Sequence, residues 1–257
     1  MTSTHLTIDL NADMGESPEL LASGADAELM KYITSANIAC GGHAGDEETM
    51  RETLLLAKAN RVAAGAHLSY PDRENFGRNA MEMPVEALGR SVYEQVSALA
   101  AIAAEVGVTL THVKPHGALY HACNQHEDVA RAVADASLRC NPKPILVGQA
   151  NSRALVWWRG MGAEVASEAF ADRAYEPDGR LRKRGLPGAV LNSADAAVAQ
   201  ALSIARYRKV LTAAGTELAL EADTICLHSD TPSAAEVARK MRSALESAGV
   251  RIRPIAR

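Results

Sequence analysis

Short apolar runs rich in β-formers alternate along this chain with longer segments of helical period, and that alternation leaves few folds open. The runs are Leu6 to Leu10, Ala36 to Cys40, Val62 to His67, Leu110 to Lys114, Pro144 to Gly148, Ala163 to Ala169 and Thr224 to His228. Between them Met50, Thr53, Leu54 and Ala57 keep the i, i+3, i+4, i+7 spacing of one helix face. Leu88, Val92, Val96, Leu99, Ala103 and Val106 extend the same geometry along a longer helix. Pro84 suits a first helical turn, and Gly107 a left-handed C-terminal cap. Pro232 and Gly249 bracket a last helix whose apolar face is Val237, Met241, Ala244, Leu245 and Ala248. Repeated strand-then-helix units require parallel pairing with crossover helices, so the choice lies between an open doubly wound sheet and a closed barrel.

The polar residues decide it. Nearly every run passes directly into acidic, His or Lys residues at its C-terminal end, and a barrel gathers all those ends on one face. An open sheet concentrates function at one switch point behind a Gly-rich turn, and no GxGxxG follows the first run. The seven runs above predict an α/β fold over residues 1–257: a single-domain, seven-stranded (β/α) barrel, a variant of the TIM barrel. Leu68 to Met83 and Ala171 to Asn192 break the pattern. Long, charged, Gly/Pro-punctuated loops in a compact domain tend to carry function.

Composition narrows the partners. With 47% apolar and 23% charged residues the chain can bury a sizeable core. A formal net charge of -4 and the lack of a Lys/Arg block argue against nucleic acid. No apolar run approaches the roughly 20 residues of a membrane span, and the N-terminus has no signal-like pattern, so a soluble cytoplasmic protein is expected. Cys40, Cys123, Cys140 and Cys226 form no CxxC pair and read as reduced thiols, with Cys40 and Cys226 packing in the core.

Several run ends carry candidate chemistry. Asp9, Asn11 and Asp13 alternate with Ile8 and Leu10, so they point toward the barrel axis, and Glu16 follows. His43 sits among Gly41, Gly42 and Gly45, next to Asp46, which is placed to cap a helix starting at Glu47. His67 ends the third run. Lys114 and His116 are two apart at the end of the fourth, and a buried Lys there needs an anionic partner, with a first-run carboxylate the obvious candidate. Asp13, His43, His67 and His116 can either hold a divalent metal or act as general acids and bases. Glu168, followed by Asp172 and Arg173, suggests a guanidinium fixed by a carboxylate and aimed at an anionic substrate group. In the last run Asp230 or Thr231 is placed to cap the final helix, and His228 can face the site. No GxxxxGK[ST] and no GxSxG occur, so the chain brings neither an ATP-cradling loop nor a nucleophile elbow.

Five stretches, DLNADMGE at Asp9 to Glu16, SANIACGGHAGD at Ser35 to Asp46, GAHLSYPDRENFGR at Gly65 to Arg78, HVKPHGALY at His112 to Tyr120 and EAFADRAYEPDG at Glu168 to Gly179, resemble the LamB/YcsF family in order and spacing. The resemblance runs through ICLHSDT at Ile225 to Thr231. It departs at Leu68, where the family usually has Pro, at Ser229, where it usually has Gly, and at Lys183, where Pro is usual. The resemblance implies a seven-stranded barrel related to the carbohydrate deacetylases. It also implies opening of 5-oxoproline to L-glutamate with ATP as co-substrate, completed by 5-oxoprolinase subunits B and C. On that basis Asp13, His43, Lys114 and His116 are the expected catalytic residues, with His116 and Asp13 a proton-handling pair. Asn11, Glu16, His67, Glu168, Asp172 and Arg173 are the expected substrate contacts. Two alternatives stay open: a stand-alone metal-dependent amidohydrolase or deacetylase holding metal on Asp13, His43 and His67, and a non-catalytic subunit that binds 5-oxoproline.

Overall fold

The computed structural model describes residues 6–191, 193–229 and 233–255. Its first half runs β1 (Thr7–Met14), α1 (Pro18–Ala22), α2 (Ala25–Met30), β2 (Ser35–Ala39), α3 (Glu47–Asn60), β3 (Ala63–Leu68), α4 (Val85–Val106) and β4 (Leu110–Pro115). Then come α5 (Gly117–Gln125), α6 (Glu127–Ser137), β5 (Ile145–Gln149), α7 (Arg153–Gly160), β6 (Val165–Phe170) and α8 (Ala194–Tyr207). The chain ends in β7 (Lys209–Leu211), β8 (Glu217–Ala219), β9 (Thr224–Leu227), α9 (Ala234–Ser247) and β10 (Arg251–Ile252). Parallel pairing runs β1-β2-β3-β4-β5-β6-β9, and β9 returns to β1 through Asp9 opposite Thr224 and Asn11 opposite Cys226. That contact closes a seven-stranded barrel, as the run count predicts. β10 adds to the β1 edge at the floor, and β7 and β8 form a separate antiparallel ribbon.

The helices lie where the periodicity puts them. Met50, Thr53, Leu54 and Ala57 of α3 are buried, as are Leu88, Val92, Val96, Leu99 and Ala103 of α4. Asp46 caps α3 by accepting from the Thr49 amide at 2.9 Å, and Gly107 ends α4 at φ 69°. Pro84 stands one residue ahead of α4, as its N-cap. The expected cap of α9 at Asp230 or Thr231, and Pro232, lie outside the described residues. The sequence reading named helix faces only for α3, α4 and α9; it left α5 to α8 unassigned and missed α1, α2 and the β7/β8 ribbon, which are too short to show a period. The first apolar run stops at Leu10, but the alternation of Asp9, Asn11 and Asp13 continues the strand, and β1 extends to Met14, paired on both sides.

Inside the barrel the side chains are polar. Asp9, Asn11, Ser35, Asn37, His112 and Thr224 are all buried and satisfy one another. Thr34, Ser35 and Thr224 hydroxyls donate to Asp9 at 2.6, 2.8 and 2.5 Å. Asn11 donates to Thr224, and Asn37 donates to both Asn11 and Asp13 at 2.8 Å. His112 Nε2 meets Asn37 Oδ1 at 2.9 Å. The His112 ring crosses the interior directly over Gly65 of β3, and a Cβ at that position would overlap the ring.

Gly65→Ala is therefore expected to lower stability by about 1–3 kcal/mol through overpacking, measured as a lowered urea midpoint. Gly65→Ala combined with His112→Ala should recover part of that loss. An unchanged midpoint for Gly65→Ala would show that the ring can move aside freely.

Candidate active site

At the C-terminal ends of the strands the polar column opens into a cavity of about 900 Å³. Lys114 stands at the boundary. Its ammonium lies 2.8 Å from Asp13 Oδ1, 2.9 Å from Glu168 Oε1 and 3.2 Å from Cys226 Sγ. Burial alone would push this ammonium down, but the Asp13 and Glu168 carboxylates outweigh it and hold the Lys well above its ordinary value. Burial would likewise raise Asp13, and the His67 and Lys114 charges overcome that and hold it well below the usual carboxylate range. The first-strand carboxylate expected to pair Lys114 is thus Asp13, and a second partner, Glu168, comes from β6. Tyr120 of α5 donates to the other oxygen of Glu168 at 2.8 Å.

Beside this pair four side chains converge. Glu16, His43, His67 and His116 each offer one atom within 4.8 Å of the others. His67 Nδ1 faces the Lys114 carbonyl at 3.0 Å, so that nitrogen carries the proton and Nε2 is left for the cluster. His116 Nε2 faces the Phe76 carbonyl at 3.0 Å, leaving Nδ1 for the cluster. The two inward nitrogens are 3.0 Å apart, a spacing that needs a proton or a cation between them. Glu16 Oε1 lies 2.9 Å from His43 Nε2 and 3.4 Å from His116 Nδ1. His43 stacks on His116 at 3.8 Å, and its buried Nδ1 has no hydrogen-bond partner. Burial, with the His67 charge next, pushes His43 well down, and burial with His67 and His43 pushes His116 down to about 2. Burial, then Asp13, raises Glu16.

These positions revise the expected ligand set. Glu16 joins His43, His67 and His116, whereas Asp13 is tied to Lys114 and Asn37. Asp13, Cys226 and His228 form a second group of close donor atoms, but the Lys114 ammonium already supplies a cation to two of them. His116 and Asp13 are not a direct pair either: His67 stands between them, 3.3 Å from Asp13 and 3.0 Å from His116, and the carboxylate next to His116 is Glu16.

Of the ten expected site residues, Asp13, Glu16, His67, Lys114, His116 and Arg173 line the cavity. Asn11, His43, Glu168 and Asp172 stand behind its wall. Asn11 lies one layer down, supporting Asn37. Glu168 holds Lys114, and Asp172 faces His228 rather than the opening. Arg173 is anchored by the main-chain oxygens of Ala189 at 3.3 Å and Arg182 at 2.6 Å. Lys183 also lines the cavity, while Leu68 is buried and its carbonyl receives the His116 amide at 2.7 Å. Both irregular segments meet here: Arg78 from the first and residues 178–184 from the second line the mouth. The sequence reading missed Asn37 and Tyr120, whose partners are distant in sequence, and left His228 without a role.

A parallel barrel with a buried carboxylate, lysine and histidine centre at its C-terminal mouth belongs to the class of barrel proteins that place chemistry on that face. The chain belongs to the LamB/YcsF family, which it matches over residues 8–257. It is 45% identical over 250 residues to a Pyrococcus furiosus protein that bears the name of the A subunit of 5-oxoprolinase, covering 97% of this chain and 98% of that one. It is 41% identical to the lactam utilization protein of Thermus thermophilus, with a TM-score of 0.89 over 96% of this chain and 99% of that one. A family 4 carbohydrate esterase of Streptomyces lividans shares the fold at 12% identity and a TM-score of 0.50, over 97% and 93% of the two chains. No helix among the described residues is long and apolar enough to cross a membrane.

Two outcomes follow. Lys114→Met leaves Asp13 and Glu168 as neighbouring buried charges, so it should destabilise by about 3–5 kcal/mol, and Asp13→Asn with Glu168→Gln in the same chain should restore much of this in urea titrations. An undisturbed midpoint for Lys114→Met would refute the ion triad. At the floor, burial, partly offset by the Thr224, Thr34 and Ser35 hydroxyls, raises Asp9 from 3.8 to about 6. Its proton is then held more tightly in the folded state, a contribution complete below pH 3.8 and lost as pH rises through about 6. Relative to Asp9→Asn, the wild-type chain should lose stability between pH 4 and 6 by up to about 1.4 kcal/mol per unit. A pH-independent difference would contradict the shift.

Proposed function

We propose that this chain opens the lactam of 5-oxoproline to L-glutamate, in a reaction coupled to ATP hydrolysis and completed by partner subunits B and C of a 5-oxoprolinase. The observation that carries this reading is the fixed Lys114 cation beside the Glu16 and histidine cluster, in a cavity rimmed by guanidinium groups. The names of the relatives point the same way.

Hydrolysis of a γ-lactam needs an activated water, relief of charge on the carbonyl oxygen, and an anchor for the ring carboxylate. Lys114 is too firmly protonated to act as a base, so it supplies a permanent charge for the oxygen. Glu16, raised by burial and by Asp13, is the group suited to take a proton from water. Arg173 is held by carbonyl oxygens and directed to the cavity, which suits a carboxylate or phosphoryl group. The chain has no phosphate-cradling motif, so ATP is handled with the partners.

The tautomers at His67 and His116, each with its outer N–H on a main-chain carbonyl, also fit a divalent cation held by Glu16, His43, His67 and His116. Bound there, such a cation supplies Lewis acidity to the mouth. This favours a second reading, a metal-dependent amidohydrolase working alone.

One assay separates them: glutamate release from 5-oxoproline, with and without ATP and subunits B and C. The isolated chain should show negligible turnover and the complex robust turnover. Arg173→Met should then raise KM at least about tenfold, about 1.4 kcal/mol. ATP-independent turnover by the isolated, metal-loaded chain would establish the second reading instead.

A further inference from the structure

Whatever activates the carbonyl, the amide C–N bond must break, and nitrogen is a poor leaving group until it is protonated. None of the groups assigned above is suited to that step. Glu16 is the proton acceptor, and Lys114 is locked between carboxylates. His67 turns Nδ1 to the Lys114 carbonyl and Nε2 to Asp13 and His116, so neither nitrogen is left to serve a ring nitrogen, and His43 and His116 are both disfavoured as imidazolium.

We infer that His228, oriented by Asp172, is the acid that protonates the ring nitrogen as the amide bond breaks; this rests on the ring-opening reading above. His228 follows β9 and lines the cavity. Its Nδ1 lies 2.8 and 3.0 Å from the two Asp172 oxygens, and its own main-chain amide donates to Asp172 at 3.3 Å. The Phe170 ring stacks on it at 5.7 Å and 17°. Three contacts therefore fix the imidazole. A carboxylate only accepts, so Nδ1 keeps a proton and Nε2 is the nitrogen left to serve the cavity.

His228 also stands in the right place. One of its ring nitrogens lies within 4.8 Å of an Asp13 oxygen and of Cys226 Sγ, on the β9 side of Asp13. His43, His67 and His116 gather instead at the ends of β2, β3 and β4. Charges around His228 favour its cationic form: burial and Arg184 oppose it, but Asp172 and then Asp13 prevail and raise it above the ordinary imidazole value. Glu16 shares this field. Burial thus disfavours the charged form of His43 and His116 on one side of the cavity, while Asp172 favours the charged form of His228 on the other, and environments that push like groups apart mark the acid and the base.

The step balances. Water oxygen bonds to the carbonyl carbon while a water proton passes to Glu16. The C–N electron pair then moves onto nitrogen, which takes the Nε2 proton of His228. His228 regains a proton from solvent and Glu16 returns its own, so one water is added across the amide, a second is consumed as the coupled ATP becomes ADP and phosphate, and nothing is oxidised or reduced.

Two measurements test this. On the isolated chain, ¹⁵N-histidine NMR at pH 7 should show both nitrogens of His228 protonated, and Asp172→Asn should leave the ring neutral. In the reconstituted complex, His228→Ala should lower kcat at least about 100-fold with KM changed only a few-fold, and added imidazole should restore part of it. Asp172→Asn, removing a positioning residue, should reduce kcat less and shift the basic limb of the pH profile downward. A neutral His228 in the wild-type chain, or a His228→Ala complex keeping more than a tenth of kcat, would overturn the assignment. A wild-type complex that releases no glutamate would sink the ring-opening reading itself, a different failure from an active complex indifferent to His228.

Discussion

The ion triad of Asp13, Lys114 and Glu168 organises everything above it. Three almost fully buried charges share one site, and each is tolerable only because the others are present. The three residues come from β1, β4 and β6, so the triad ties together strands that are not neighbours in the barrel. Its geometry is set from below by Asn37, which holds Asp13, and from the side by Tyr120, which holds Glu168. Residues set back from the cavity therefore decide where its charges stand.

Above the triad, tautomers are fixed by the backbone rather than by other side chains. The Lys114 and Phe76 carbonyls hold the outer nitrogens of His67 and His116, so the two inner nitrogens face one another beside Glu16 at a spacing that takes a proton or a cation between them. Strand β4 thereby does two jobs at one residue: the Lys114 side chain charges the pocket, and its carbonyl orients the adjoining histidine. This fixes a proton inventory at the mouth, with acceptors on one wall and the Asp172-supported His228 on the other.

Much of this was legible in the sequence. The apolar runs give seven strands, because parallel strands buried on both faces leave continuous signals, and α3 and α4 announce their buried faces by spacing. Asp9, Asn11 and Asp13 were placed inward by alternation alone, and burial of all three agrees. What sequence could not supply was register. Whether Asp13 meets His67 or His116 depends on strand offset and side-chain length, and the structure interposes His67. Asn11, Glu168 and Asp172 are acidic or amide groups at run ends, indistinguishable by pattern from groups that face the cavity, yet each turns to support a neighbour. Tyr120 lies on a helix 48 residues from Glu168, so no local spacing pointed to it.

The closing contact between β1 and β9 has a consequence for biosynthesis. Asp9 leaves the ribosome 215 residues ahead of Thr224, whose hydroxyl donates to it and accepts from Asn11. Until Thr224 arrives the interior column is open along one seam, with polar groups meant for each other exposed to water. A nascent chain, or one clipped before β9, can form helices and several strand pairs, but it cannot seal the barrel. Quality control that senses an open sheet edge would thus distinguish finished from unfinished copies by whether β1 and β9 have met.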